Sequence, residues 1–184
     1  MRIAAIALSG AVIFGVAVPA TAAFILDQNQ PSATVYMAAF SQTDLAQSFQ
    51  TQDYNSIAGA GIHLYTNGTT GNITISLWDY LPNNGGTMMA TGTAVGTPGE
   101  WVDVYWDSVA ITPNTEYFLV FTDEGQGGGI WGDTNNPYPF GCVYANPGYS
   151  KFDTFDYTFR TWVVPAPGAL ALLGLAGLVR RRRR

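Results

Sequence analysis

The stretch Asn72-Ile73-Thr74-Ile75-Ser76-Leu77-Trp78-Asp79 decides the class of fold. Ile73, Ile75 and Leu77 fall on one face and polar residues stand between them, the period of two that a half-buried strand requires. Residues 101–107 repeat the pattern, with Val102, Val104 and Trp106 opposite Asp103, Tyr105 and Asp107. Residues 156–163 align Tyr157, Phe159, Thr161 and Val163 in the same way. Outward from these anchors, further strands are expected at 46–49, 57–65, 87–95 and 115–122. Turn-forming residues separate them: Asn67-Gly68, Asn83-Asn84-Gly85-Gly86, Thr97-Pro98-Gly99 and Thr112-Pro113-Asn114. Seven to nine strands without an internal helix predict an all-β chain, an antiparallel β-sandwich of jelly-roll-like form.

The succession Leu45-Ala46-Gln47-Ser48-Phe49, Ile62-His63-Leu64-Tyr65, Ile73 to Asp79, Trp101-Val102-Asp103-Val104 and Thr115 to Phe121 resembles the choice-of-anchor β-sandwich domains. The likeness covers roughly residues 40–122. It implies a surface module carried in front of an anchoring tail and brings no activity with it.

The two ends of the chain are built differently. Met1-Arg2 precedes an apolar run from Ile3 to Val18 and the small residues Ala20-Thr21-Ala22-Ala23. A basic start, an apolar stretch and a small-residue cleavage site are the parts of a secretory signal peptide, here residues 1–23. Export machinery and signal peptidase are therefore expected partners. The other end, residues 164–184, opens with Val164-Pro165-Ala166-Pro167-Gly168, continues through an apolar segment and closes on Arg180, Arg181, Arg182, Arg183 and Arg184. Residues 164–179 are 16 uncharged positions, or roughly 24 Å of helix at ~1.5 Å per residue. That is short for a span, but snorkelling arginines and local thinning of the bilayer close the gap. The arginine cluster belongs on the cytoplasmic side, so the domain before it faces outward.

This proline motif, apolar segment and arginine cluster resemble the PEP-CTERM class of sorting tails. The usual Val-Pro-Glu-Pro reads Val164-Pro165-Ala166-Pro167 here, without the glutamate. The resemblance implies an exosortase-like sorting enzyme as partner, membrane attachment through the tail before processing, and a link to extracellular polysaccharide.

Between the ends, residues 24–163 form one domain. Its charge is lopsided: Lys151 and Arg160 are its only basic residues, against all thirteen acidic ones, which leaves −11. Such a surface repels phosphate backbones, and nucleic acid is excluded as a partner. Cys142 is the only cysteine, so no intrachain disulfide is available.

Catalysis finds little footing. His63 is the single histidine, set in an alternating strand, and no Gly-x-Ser-x-Gly accompanies it. Asp103 and Asp107 share a strand face about 13 Å apart at ~3.3 Å per residue, beyond the ~5–9.5 Å of glycosidase pairs. A non-enzymatic protein of the envelope or extracellular space is expected, with no obligatory cofactor. The segment 123–156, glycine-rich and read as a long loop region, carries the candidate ligand residues. Trp131, Asp133, Asn135, Tyr138 and Tyr144 combine aromatic faces with amides and a carboxylate, the mixture that sugar recognition uses. Asp123, Glu124 and Asp133 are candidate Ca²⁺ ligands, since that ion takes several oxygen donors. Mass spectrometry of the native C-terminus distinguishes the two outcomes: a sorting signal predicts a chain ending near Pro165. A retained apolar stretch would make the tail a simple anchor.

Overall fold

The alternation at 72–79 becomes one of thirteen strands in a computed structural model that describes residues 23–125 and 127–165. In chain order these are β1 (Ile25–Gln30), β2 (Val35–Ala39), β3 (Ala46–Gln50), β4 (Ser56–His63), β5 (Gly71–Trp78) and β6 (Met88–Gly96). They continue as β7 (Trp101–Ala110), β8 (Glu116–Asp123), β9 (Gly129–Asp133), β10 (Val143–Ala145), β11 (Ser150–Phe152), β12 (Asp156–Tyr157) and β13 (Phe159–Val163).

Six strands form one layer in the order β11-β10-β3-β8-β5-β6. Four form a second sheet, β1-β13-β4-β7, and three more, β12-β9-β2, extend it. Thr158 joins the two smaller sheets. It separates β12 from β13, receives the amide of His63 at 3.0 Å and donates its own to Trp131 O at 2.9 Å. Every strand pairing is antiparallel. The architecture is thus all-β and sandwich-like.

The inward rows make the core. Phe49, Ile73, Ile75, Leu77, Leu119 and Phe121 come from the six-stranded layer; Ile57, Ile62, Val102, Val104, Tyr157 and Phe159 come from the other. The rings of Phe121 and Tyr157 meet edge to face at 5.6 Å across the interface. Burying each such side chain is worth about 1.5–3 kcal/mol.

Three expectations change. The count of seven to nine strands rises to thirteen, because β10, β11 and β12 are only two or three residues long and too short to show alternation. β1 and β2 were not anticipated. The segment 123–156 is not one long loop: it holds β9, β10, β11 and the start of β12. Gly129 and Gly132 read as loop residues in sequence, yet they lie in β9. A Cβ on Gly129 would stand 2.6 Å from Ala38 O, and one on Gly132 2.5 Å from Asp156 O. Tight strand packing, not looseness, selects those glycines.

No helix among the described residues is long and apolar enough to cross a membrane. Residues 1–22, where most of the leader was expected, Ala166 to Gly168, the apolar stretch and Arg180 to Arg184 lie outside the described residues. Val164 and Pro165 follow β13 directly and are half-buried. Ile25 pairs with Val163, so the first and last strands leave the domain side by side.

Phe159 is fully buried and packs edge to face on Tyr138 at 5.0 Å. Phe159→Ala is expected to cost about 3–5 kcal/mol, read as a lowered urea midpoint with an unchanged slope.

Candidate functional site

The outer surface of the β1-β13-β4-β7 sheet is organised by two residues without side chains. Gly59 and Gly61 of β4 point outward, with Tyr105 and Asp103 of β7 opposite them on one side and Trp162 and Arg160 of β13 on the other. A Cβ on Gly61 would collide with Asp103 Oδ1, and one on Gly59 would stand 2.9 Å from Tyr105 Cδ1. Side chains from strands that are not neighbours therefore meet over a glycine floor. Arg160 Nε donates to Asp103 Oδ1 at 2.7 Å, its second nitrogen reaches Asp103 Oδ2, and Trp162 Nε1 donates to Asp103 Oδ1 at 2.9 Å.

Aromatic rings extend from this centre. The Arg160 guanidinium lies 4.2 Å from the ring centre of Trp101 and 5.2 Å from that of Trp162, within cation–π range. His63 stacks on Trp101 at 5.3 Å, and its Nε2 lies 3.1 Å from Gly99 O. Tyr105 sits between Trp162 at 6.1 Å and Phe24 at 4.4 Å. Toward the β9 side, Tyr65 contacts both Tyr36 and Trp131, at 4.6 and 4.4 Å. Tyr105, Phe24 and Tyr36 are 46, 44 and 42% exposed; the remaining rings are half-buried. Burial raises the Tyr105 phenol above its ordinary value, and the nearby Asp103 charge adds to this.

Such a face suits polyhydroxylated ligands. Ring faces pack on C–H surfaces, while the Arg160–Asp103 pair holds the rings in place and offers polar edges. The bidentate geometry is the planar, oriented kind that arginine supplies and lysine does not.

The residues singled out in the sequence do not form one site. Trp131 lies in the Tyr36–Tyr65 cluster, at the β9 side of the aromatic face. Asp133 is buried and accepts from Ser32 Oγ at 2.5 Å and from the Asn135 amide and side chain at 2.9 Å each. The Tyr138 hydroxyl is enclosed, 3.0 Å from Gln28 Oε1 and 3.1 Å from Gln50 O. Tyr144 is buried against Phe118 on the outside of the six-stranded layer. Of the proposed Ca²⁺ ligands, Asp123 lines one small recess together with Gly129 at the start of β9, whereas Asp133 is at the far end of that strand, about 13 Å on at ~3.3 Å per residue. Glu124 accepts from Asn72 Nδ2 at 2.9 Å. No group of three or more His, Cys, Asp or Glu among the described residues could hold a metal ion.

Other reactive side chains have structural partners. Asp79 Oδ1 accepts from the amides of Tyr80 and Thr87 at 2.8 and 2.6 Å, closing its turn. Cys142 is buried, and that burial raises its thiol. Phe24, Tyr36, Tyr65, Trp101, Tyr105, Arg160 and Trp162 were missed as site residues. One signal was present: Trp101-x-Asp103-x-Tyr105 sets two aromatic residues on the strand face where polar ones are usual. Comparison with protein-family models, curated proteins and solved structures finds no match for the chain.

Beneath the β9 end lies a pair of carboxylates. Asp156 is fully buried, opposite Asp133 across β12 and β9, and accepts from Gln47 Nε2 at 2.9 Å and Tyr138 N at 3.1 Å. Burial, with the Asp133 charge adding, pushes Asp156 up to about 6. The Ser32 hydrogen bond leads several that hold Asp133 down to about 2. The folded state thus binds the Asp156 proton more tightly than the unfolded chain does. Its stabilising effect is complete below about pH 4 and is lost as pH rises through about 6. The Asp133 contribution is lost only as pH falls toward 2. The melting temperature should therefore decline as pH is raised from 4 to 7, and Asp156→Asn should flatten that slope.

Proposed function

We propose that this chain is a non-enzymatic, exported surface or matrix protein whose sandwich binds extracellular polysaccharide along its outer aromatic face. The observation that carries the binding part is the row of rings braced by Arg160 and Asp103 over Gly59 and Gly61. Aromatic residues on an outward sheet face carry a solvation penalty that burial elsewhere would avoid, and a stacking ligand removes it. The export part is supported by the leader at 1–23 and the tail at 164–184. The first and last strands leave the domain side by side, which sets the Phe24–Tyr105–Trp162 side of the face beside the start of the tail.

The strand orders β1-β13-β4-β7 and β3-β8-β5-β6 support a jelly-roll-like description of the sandwich. Asp79 is held in a turn and Asp103 in an ion pair, which favours binding over hydrolysis. The protein then resides at the cell envelope or outside it, with an exosortase-like enzyme acting on Val164 to Gly168 as partner.

Calorimetric titration of the full chain in detergent with soluble β-glucan, xylan and an acidic exopolysaccharide tests the binding. Trp162→Ala and Tyr105→Ala are each expected to weaken association at least about tenfold, or ~1.4 kcal/mol, with circular dichroism unchanged. Equal affinity in wild type and both variants would remove the aromatic face as the site.

A further inference from the structure

On the opposite layer, where β3, β8, β10 and β11 meet, the surface opens into a cleft of about 290 Å³. This is close to the ~300 Å³ at which ligand pockets begin. Gln50, Glu116, Asn136, Phe140, Lys151 and Asp153 line it.

The recess is built into the fold. A Cβ on Gly141 would run into Ser48 O, so the backbone there lies flat on β3 and leaves space above it. Cys142 clamps it, accepting the Ser48 amide at 2.9 Å and donating its own to Ser48 Oγ at 3.0 Å. The loop before Gly141 is pinned as well, by Asn136 N on Thr154 O at 2.8 Å and by Tyr138 N on Asp156. Pro137 and Pro139 stiffen it further. Phe140, held between these pins, is left 44% exposed at the cleft, its ring 6.0 Å from that of Tyr138.

The lining selects its ligand by charge. Lys151 pairs with Asp153 at 2.8 Å, both side chains more than half exposed, so either can exchange its partner for a ligand group at small cost. Glu116 and Asp153 disfavour an anion, and the Lys151 ammonium disfavours a metal cation. Gln50 and Asn136 supply both donors and acceptors. A neutral molecule with many hydroxyls and one C–H face for Phe140 satisfies all of these. We infer that the cleft binds a single neutral saccharide unit, giving the domain a second glycan site on the layer opposite the aromatic face. Two sites on opposite layers hold two polysaccharide chains, so the protein cross-links a matrix as well as attaching to it. The cross-linking part rests on the polysaccharide reading of the aromatic face; the cleft itself does not.

Amide NMR of the full chain in detergent micelles, titrated with the methyl glycosides of glucose, xylose and mannose, separates the two. Shifts at Gly141 and Lys151 are expected with at least one glycoside. Phe140→Ala and Asn136→Ala should each weaken them at least tenfold at unchanged melting temperature. Failure of all three glycosides to move Gly141 and Lys151, or shifts that survive Phe140→Ala, would overturn the cleft. Shifts there without polysaccharide binding at Trp162 would sustain the cleft and sink the aromatic face. Beads coated with a polysaccharide that the chain binds should agglutinate with wild type and not with Phe140→Ala or Trp162→Ala. Agglutination by the Phe140 variant would refute cross-linking between the faces.

Discussion

A carboxylate with no solvent and no base beside it ties this molecule together. Asp156 receives Gln47 from the six-stranded layer and Tyr138 from the loop that shapes the cleft. Gln47 Oε1 in turn accepts the Tyr157 amide at 2.8 Å. One buried group thus links both layers and the loop. Burying a carboxylate is expensive unless its oxygens are bonded or it takes up a proton; here both oxygens are bonded, and the proton is taken up as pH falls through about 6.

Charge is scarce in one sign only, which gives the two basic residues of the domain defined places. Arg160 is half-buried, engaged with Asp103 and flanked by two indole rings; Lys151 is exposed, paired with Asp153 at the cleft. The first pair is bidentate and organises a surface. The second is solvated and exchangeable, as a binding recess requires. Arginine and lysine are not interchangeable in these positions, because only the planar fork can bond one carboxylate twice while lying against Trp101.

Glycine serves the surface in two ways. At Gly59 and Gly61 it lowers the middle of the sheet so that side chains from β7 and β13 meet above it. At Gly141 it presses the backbone onto β3 and opens the cleft. Each replaces a side chain with close backbone approach, and neither role shows in composition, where such glycines count simply as turn formers.

The class of fold was legible because its signal is local. Ile73, Ile75 and Leu77, or Val102 and Val104, alternate within a few residues, and burying one face of a strand demands that alternation wherever the strand goes. The expectation of export rests on the same kind of local run of apolar and basic residues. The site was not legible in this way. Phe24, Tyr105 and Trp162 are far apart in sequence and become neighbours on the outer face of the β1-β13-β4-β7 sheet, while Trp131, Asp133, Tyr138 and Tyr144, close in sequence, are dispersed by the pairings of β9 and β10. Strand order depends on which strands bury each other's faces, a choice made between distant segments. Tertiary structure therefore decided which outward-facing residues share a surface.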